Sequence, residues 1–77
     1  MNRTEIMRLR KYLNDKFETE KFTLEPGNQK DGSMELHFND EFIGVVYRDE
    51  DEGEVSYALN IAILEEDLPG ASDASLI

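Results

Sequence analysis

The run Glu54-Val55-Ser56-Tyr57-Ala58-Leu59-Asn60-Ile61-Ala62-Ile63-Leu64 alternates without a break. Val55, Tyr57, Leu59, Ile61 and Ile63 are large and apolar, and the residues between them are small or polar. A period of two puts the two sets on opposite faces of a strand. One face needs a core to bury it. The other suits solvent or the close approach of another chain. Just before it, Asp49-Glu50-Asp51-Glu52-Gly53-Glu54 is too charged for a strand interior and is expected to be a hairpin loop, with Gly53 supplying a positive φ.

Upstream, residues 41–48 form a third strand whose apolar groups fall on both faces. Phe42 and Val46 share one, and Ile43, Val45 and Tyr47 share the other. Such a strand is usually central or covered twice. Gly44 in its middle marks a bulge or a close backbone approach. Asn39-Asp40 is a compact turn, and residues 33–38 alternate, with Met34, Leu36 and Phe38 on one side. Pro26-Gly27-Asn28 and Lys30-Asp31-Gly32 are turn signals that separate this strand from a short one at 21–25.

The chain begins with a helix over residues 4–18. Ile6, Leu9, Leu13 and Phe17 fall within about 80° of arc at 100° per residue. Asn2 and Glu5 have capping-box spacing. Arg8, Lys11 and Asp15 lie on the opposite side. The expected fold class is α+β, an N-terminal helix packed on one face of a four-stranded antiparallel β-meander. Residues 1–68 are expected to form one domain and residues 69–77 a flexible tail. The expected core is Ile6, Leu9, Leu13, Phe17, Phe22, Leu24, Met34, Leu36, Phe38, Ile43, Val45, Tyr47, Val55, Tyr57, Leu59, Ile61 and Ile63.

With 77 residues, the chain has little core to spare, and domains of this size often lean on a partner. Its 18 acids against 8 bases give a net charge of −10. Residues 1–30 hold seven bases and five acids, a net of +2, whereas residues 31–77 hold Arg48 and thirteen acids, a net of −12. The acidic total argues against nonspecific binding to nucleic acid or anionic membrane. There is no Cys, which excludes disulfides, a thiolate nucleophile and zinc–thiolate sites. No apolar run approaches the length of a membrane span, and Met1-Asn2-Arg3-Thr4-Glu5 leads into no secretory core.

No residues combine into a catalytic constellation. The single histidine, His37, is placed on the outward face of the second strand, with no nucleophile to activate. There is neither a Gly-x-Ser-x-Gly elbow nor a Gly-rich phosphate loop. Asp49, Asp51 and Glu54 around Gly53 resemble part of a calcium loop, but an EF-hand loop has twelve residues between helices, and this one is about half that between strands. No enzyme activity, metal or cofactor is therefore expected. Tyr47 and Tyr57 are expected as cross-strand core or rim partners.

The run of residues 40–57, Asp40-Glu41-Phe42-Ile43-Gly44-Val45-Val46-Tyr47-Arg48 continuing through the acidic hairpin to Tyr57, with Ala62-Ile63-Leu64 after it, resembles a family of short alphaproteobacterial proteins known as a domain of unknown function. The resemblance spans about residues 4–68 and includes the Leu9, Tyr12, Leu13 and Phe17 pattern of the helix. It implies a bacterial, cytoplasmic setting and carries over no activity, cofactor or catalytic residue.

The expected function is a noncatalytic protein-interaction module. The candidate contacts are Phe42 and Val46, as a leftover apolar face that also suits self-association into a homodimer, and Arg48, Asp49, Glu50, Asp51, Glu52 and Glu54 of the hairpin. The alternative is a divalent-metal or small-ligand sensor using the carboxylates of residues 49–54. A protein partner or a second copy is expected, and neither nucleic acid nor membrane.

Overall fold

The computed structural model describes residues 1–27 and 32–76. Helix α1 (Arg3–Lys16) opens the chain. Asn2 caps it: its Oδ1 accepts the Glu5 N–H at 2.8 Å, and the Asn2 N–H donates to Glu5 Oε1 at 3.1 Å. This is the reciprocal capping box that the spacing predicts. At the other end, Thr19 N–H bonds to Asn14 O at 2.9 Å and Glu18 N–H to Asp15 O at 3.3 Å. Glu18 carries a φ of 53°, so a Schellman turn closes on a residue other than glycine.

Strands β1 (Phe22–Pro26), β2 (Met34–Phe38), β3 (Glu41–Asp51) and β4 (Glu54–Ile61) follow. They pair antiparallel in the order β1-β2-β3-β4, so the expected α+β meander is the fold. The turn signals at Asn28, Lys30 and Asp31 lie outside the described residues. Both tight hairpins have positive φ at their two central residues, Asn39 and Asp40 in one, Glu52 and Gly53 in the other. That is the type I′ signature, which matches the twist of the flanking strands. Short 3₁₀ turns at Glu65–Asp67 and Ala74–Leu76 follow β4. Among the described residues no helix is long and apolar enough to cross a membrane.

The core lies between α1 and one face of the sheet. Leu9, Leu13, Phe22, Leu36 and Val46 form its buried cluster, and Met1, Leu24, Phe38, Ile43, Tyr57 and Leu59 pack around it. Met34 is buried as well. Phe22 stacks edge-on against Phe38, with centroids 5.0 Å apart. Asn14 ties the end of the helix to the start of β1: its Oδ1 accepts the Phe22 N–H at 2.9 Å and its Nδ2 donates to Phe22 O at 3.2 Å.

The third strand departs from simple alternation. Leu36 faces Gly44 and His37 faces Phe42, so Ile43 is an extra residue and β3 carries a bulge. The bulge shifts the phase of everything before it. Val46 therefore turns inward and is wholly buried, whereas Phe42 turns outward and is 55% exposed. The expectation that Phe42 and Val46 share one exposed apolar face is corrected: they lie on opposite sides of the sheet, and Val46 belongs to the core. Gly44 accounts for both signals read from it. It adjoins the bulge, and a Cβ there would collide with the Asn60 carbonyl of β4.

Other core expectations also shift. Phe17, Tyr47, Val55, Ile61 and Ile63 are exposed, and Ile6 and Val45 are half-buried. β4 ends at Ile61 rather than continuing to Leu64, although Ala62 N–H still reaches Ile43 O at 3.3 Å. Tyr47 and Tyr57 are not opposite each other. Tyr47 faces Ala58 and Tyr57 faces Arg48, which puts the two tyrosines on different faces.

Candidate functional site

β3 and β4 run on past the rest of the sheet. β2 accompanies β3 only from Glu41 to Val46, while the β3–β4 pairing continues from Gly44–Ile61 to Asp51–Glu54. Among the described residues, 47–58 are thus a two-stranded ribbon with no third strand beside it. The acidic stretch expected to be a six-residue loop is mostly strand: only Glu52 and Gly53 form the turn. An isolated two-stranded ribbon is marginal in water. This one is secured at its root by side chains.

Arg48 and Tyr57 sit opposite each other on the helix side of the ribbon. Both reach Glu5 in the first turn of α1. Arg48 Nε donates to Glu5 Oε2 at 2.7 Å, and the Tyr57 hydroxyl donates to the same oxygen at 2.6 Å. Arg48 Nη1 also donates to Glu50 Oε2 at 3.0 Å. The second oxygen of Glu5 is occupied by the capping bond from Asn2. One carboxylate therefore accepts from three donors while its side chain is only 17% exposed. The Tyr57 hydroxyl above all, then the Asn2 N–H and Arg48, lower the Glu5 pKa to about 2. Glu50 first and Glu5 next raise that of Arg48, and the Glu5 carboxylate raises that of Tyr57.

These shifts bear on the chemistry available. A carboxylate held at about 2 is a poor base at neutral pH, and a phenol pushed above its usual range is a poor acid. Glu5, Arg48 and Tyr57 act as a clasp that fixes where the ribbon points.

The remaining hairpin residues divide by face. Glu50 lies on the clasp side with Arg48. Asp49, Asp51 and Glu54 follow the opposite parity, and with Glu52 at the turn they line a shallow depression beside Val55 and Ser56. No cation pairs with any of these four among the described residues, and Asp51 directly faces Glu54. Like charges across a strand pair are unfavourable. Among the described residues, no three His, Asp or Glu side chains converge on a point that would hold a metal ion.

Away from the ribbon, His37 faces outward as expected, with Nε2 3.1 Å from Glu35 Oε1 and its ring edge-on to Phe42 at 5.7 Å. Beside β4, the helix leaves an open groove of about 830 Å³. Glu5 was not a candidate from sequence, and Tyr57 was expected as a core or rim partner. The Asn2–Glu5 spacing fixed the position of the Glu5 carboxylate, and Arg48 was the single cation of residues 31–77. Those two signals were present but unconnected.

A family model described as a protein of unknown function (DUF3126) matches residues 5–67. The match takes in the clasp, the whole ribbon and the 3₁₀ turn after β4, and the chain belongs to that family. No curated protein and no solved structure matches the chain.

Proposed function

We propose that this member of the DUF3126 family is a noncatalytic protein-interaction module of the bacterial cytoplasm, and that its β3–β4 ribbon docks a protein partner with a basic surface. The observation that carries this is the overhanging ribbon. It presents Asp49, Asp51, Glu52 and Glu54 without a pairing cation among the described residues and is held by the Glu5–Arg48–Tyr57 clasp. Four carboxylates clustered at a tip repel one another, which is a cost to the isolated chain. They raise the local negative potential, which steers and selects a basic surface. Fixing the ribbon in advance lowers the ordering cost of binding.

Quantitative capture from native lysate tests the reading. Reversing Asp49, Asp51 and Glu52 to Lys is expected to abolish recovery of the partners retained by the unaltered protein, and raising the salt concentration is expected to weaken the unaltered interaction. Recovery of the same partners at the same level by the reversed protein refutes docking through the ribbon.

A further inference from the structure

Helix α1 leaves part of the sheet's inner face uncovered. The groove between it and β4 is floored by Met7, Leu9, Tyr12, Leu13, Tyr57 and Leu59. Met7 and Tyr12 are each 60% exposed. Arg8 and Lys11 also line it, as does Glu5, whose charge is already paired with Arg48. Lys11 leans on the exposed Asp15 at 3.0 Å, and Arg8 has no partner among the described residues.

The segment that follows β4 has the complementary character. Ile63, Leu64 and Leu68 are 72%, 53% and 54% exposed. Between them, Glu65, Glu66 and Asp67 form a 3₁₀ turn and pair with no cation among the described residues. Nothing among the described residues covers this segment, and the groove does not include it. Apolar surface left in water costs roughly 25 cal/mol per Å². An apolar floor with a cationic rim and an apolar segment with an anionic turn match in both respects.

We infer that the groove receives the 63–68 segment of a second copy of this chain, with Ile63 and Leu64 on the apolar floor and Glu65 and Glu66 facing Arg8 and Lys11. Each copy carries both halves of the contact. A two-fold exchange fills both grooves at once and closes as a dimer. The contact lies on a different surface from the ribbon tip and does not rest on the ribbon docking a basic partner. The net charge of −10 on each copy opposes association at long range, and salt near 0.15 M screens that repulsion beyond about 8 Å.

Sedimentation equilibrium of the full chain at that salt, from about 1 μM to about 1 mM, provides the test. The unaltered protein is expected to pass from monomer to dimer across the range. Arg8→Glu with Lys11→Glu, and separately Glu65→Lys with Glu66→Lys, are each expected to weaken the dimer by about tenfold or more. An equimolar mixture of the two variants is expected to restore a one-to-one dimer, because the altered rim then meets the altered segment of opposite charge and the unaltered rim meets the unaltered segment. A monomer throughout, a dimer indifferent to both variants, or a mixture no tighter than its components overturns the inference. Should either variant lose the circular dichroism of the unaltered chain, the absence of native Cys permits a second measurement. Chains carrying Tyr12→Cys and Leu64→Cys, mixed under oxidising conditions, are expected to give a disulfide-linked heterodimer in excess over either homodimer. No such excess overturns the inference equally.

Discussion

Replacing Tyr57 with Phe removes one oxygen and, with it, the strongest hold on the Glu5 carboxylate. In the unaltered chain that carboxylate accepts from the Tyr57 hydroxyl at 2.6 Å, from Arg48 Nε at 2.7 Å and from the Asn2 N–H at 3.1 Å. Together they bring its pKa from 4.5 to about 2. A pKa lowered by folding contributes stability that is fully present above the unfolded value and is lost as pH falls through the folded one. The contribution of Glu5 is therefore complete above about pH 4.5 and disappears between there and about pH 2. Tyr57→Phe is expected to raise the Glu5 pKa part of the way back, since Asn2 and Arg48 still donate, so the loss on acidification begins and ends at higher pH. Glu5→Gln removes the titration, and its stability deficit against the unaltered protein is expected to be constant above pH 5 and to shrink between pH 4.5 and 2. Carbon-detected NMR titration of the Glu5 carboxyl reads the first effect, and urea unfolding at stepped pH reads the second. A Glu5 carboxyl that titrates near 4.5 in the unaltered protein, or one that ignores Tyr57→Phe, refutes the clasp.

Asn14→Ala is expected to cost about 1.5 kcal/mol: two hydrogen bonds to Phe22 at about 1 kcal/mol each, less about 0.5 recovered because Ala is the better helix former. In a domain of this size that lowers the melting temperature by about 6–12 °C, and a shift under 2 °C by circular dichroism would show that the bridge does not hold β1 to the helix. Glu52 occupies the first central position of a type I′ turn with φ 51°, where Asn is favoured, so Glu52→Asn is expected to stabilise by about 0.5–1 kcal/mol in urea titration. A loss of stability there would mean that the carboxylate itself, rather than the backbone, governs the turn.

The helix and the four strands were legible because each is written in local periodicity. Leu9 and Leu13 recur at helical spacing, Met34 and Leu36 alternate, and Asn39-Asp40 marks its own turn. The extent of β3 was not legible. Asp49, Glu50 and Asp51 read as loop residues by composition, but pairing with Ser56, Val55 and Glu54 extends the ladder through them. Pairing outweighs the weak intrinsic dislike of acids for strands. Counting by twos from Phe42 to Val46 failed because the bulge at Ile43 inserts an odd residue, and one residue exchanges inside for outside. Gly44 signalled a bulge without saying which side chain it would turn. The clasp was beyond local reading altogether, since Glu5 meets partners 43 and 52 residues away.

A strand pair that overhangs its sheet is a cantilever, and its footing is a carboxylate that the opening of α1 also needs. Weight applied at Glu52 and Gly53 must be borne where Arg48 and Tyr57 grip Glu5. A pull that draws those two away takes a share of the helix cap with them. The tip of the ribbon and the Asn2 cap thus share one footing, the Glu5 carboxylate.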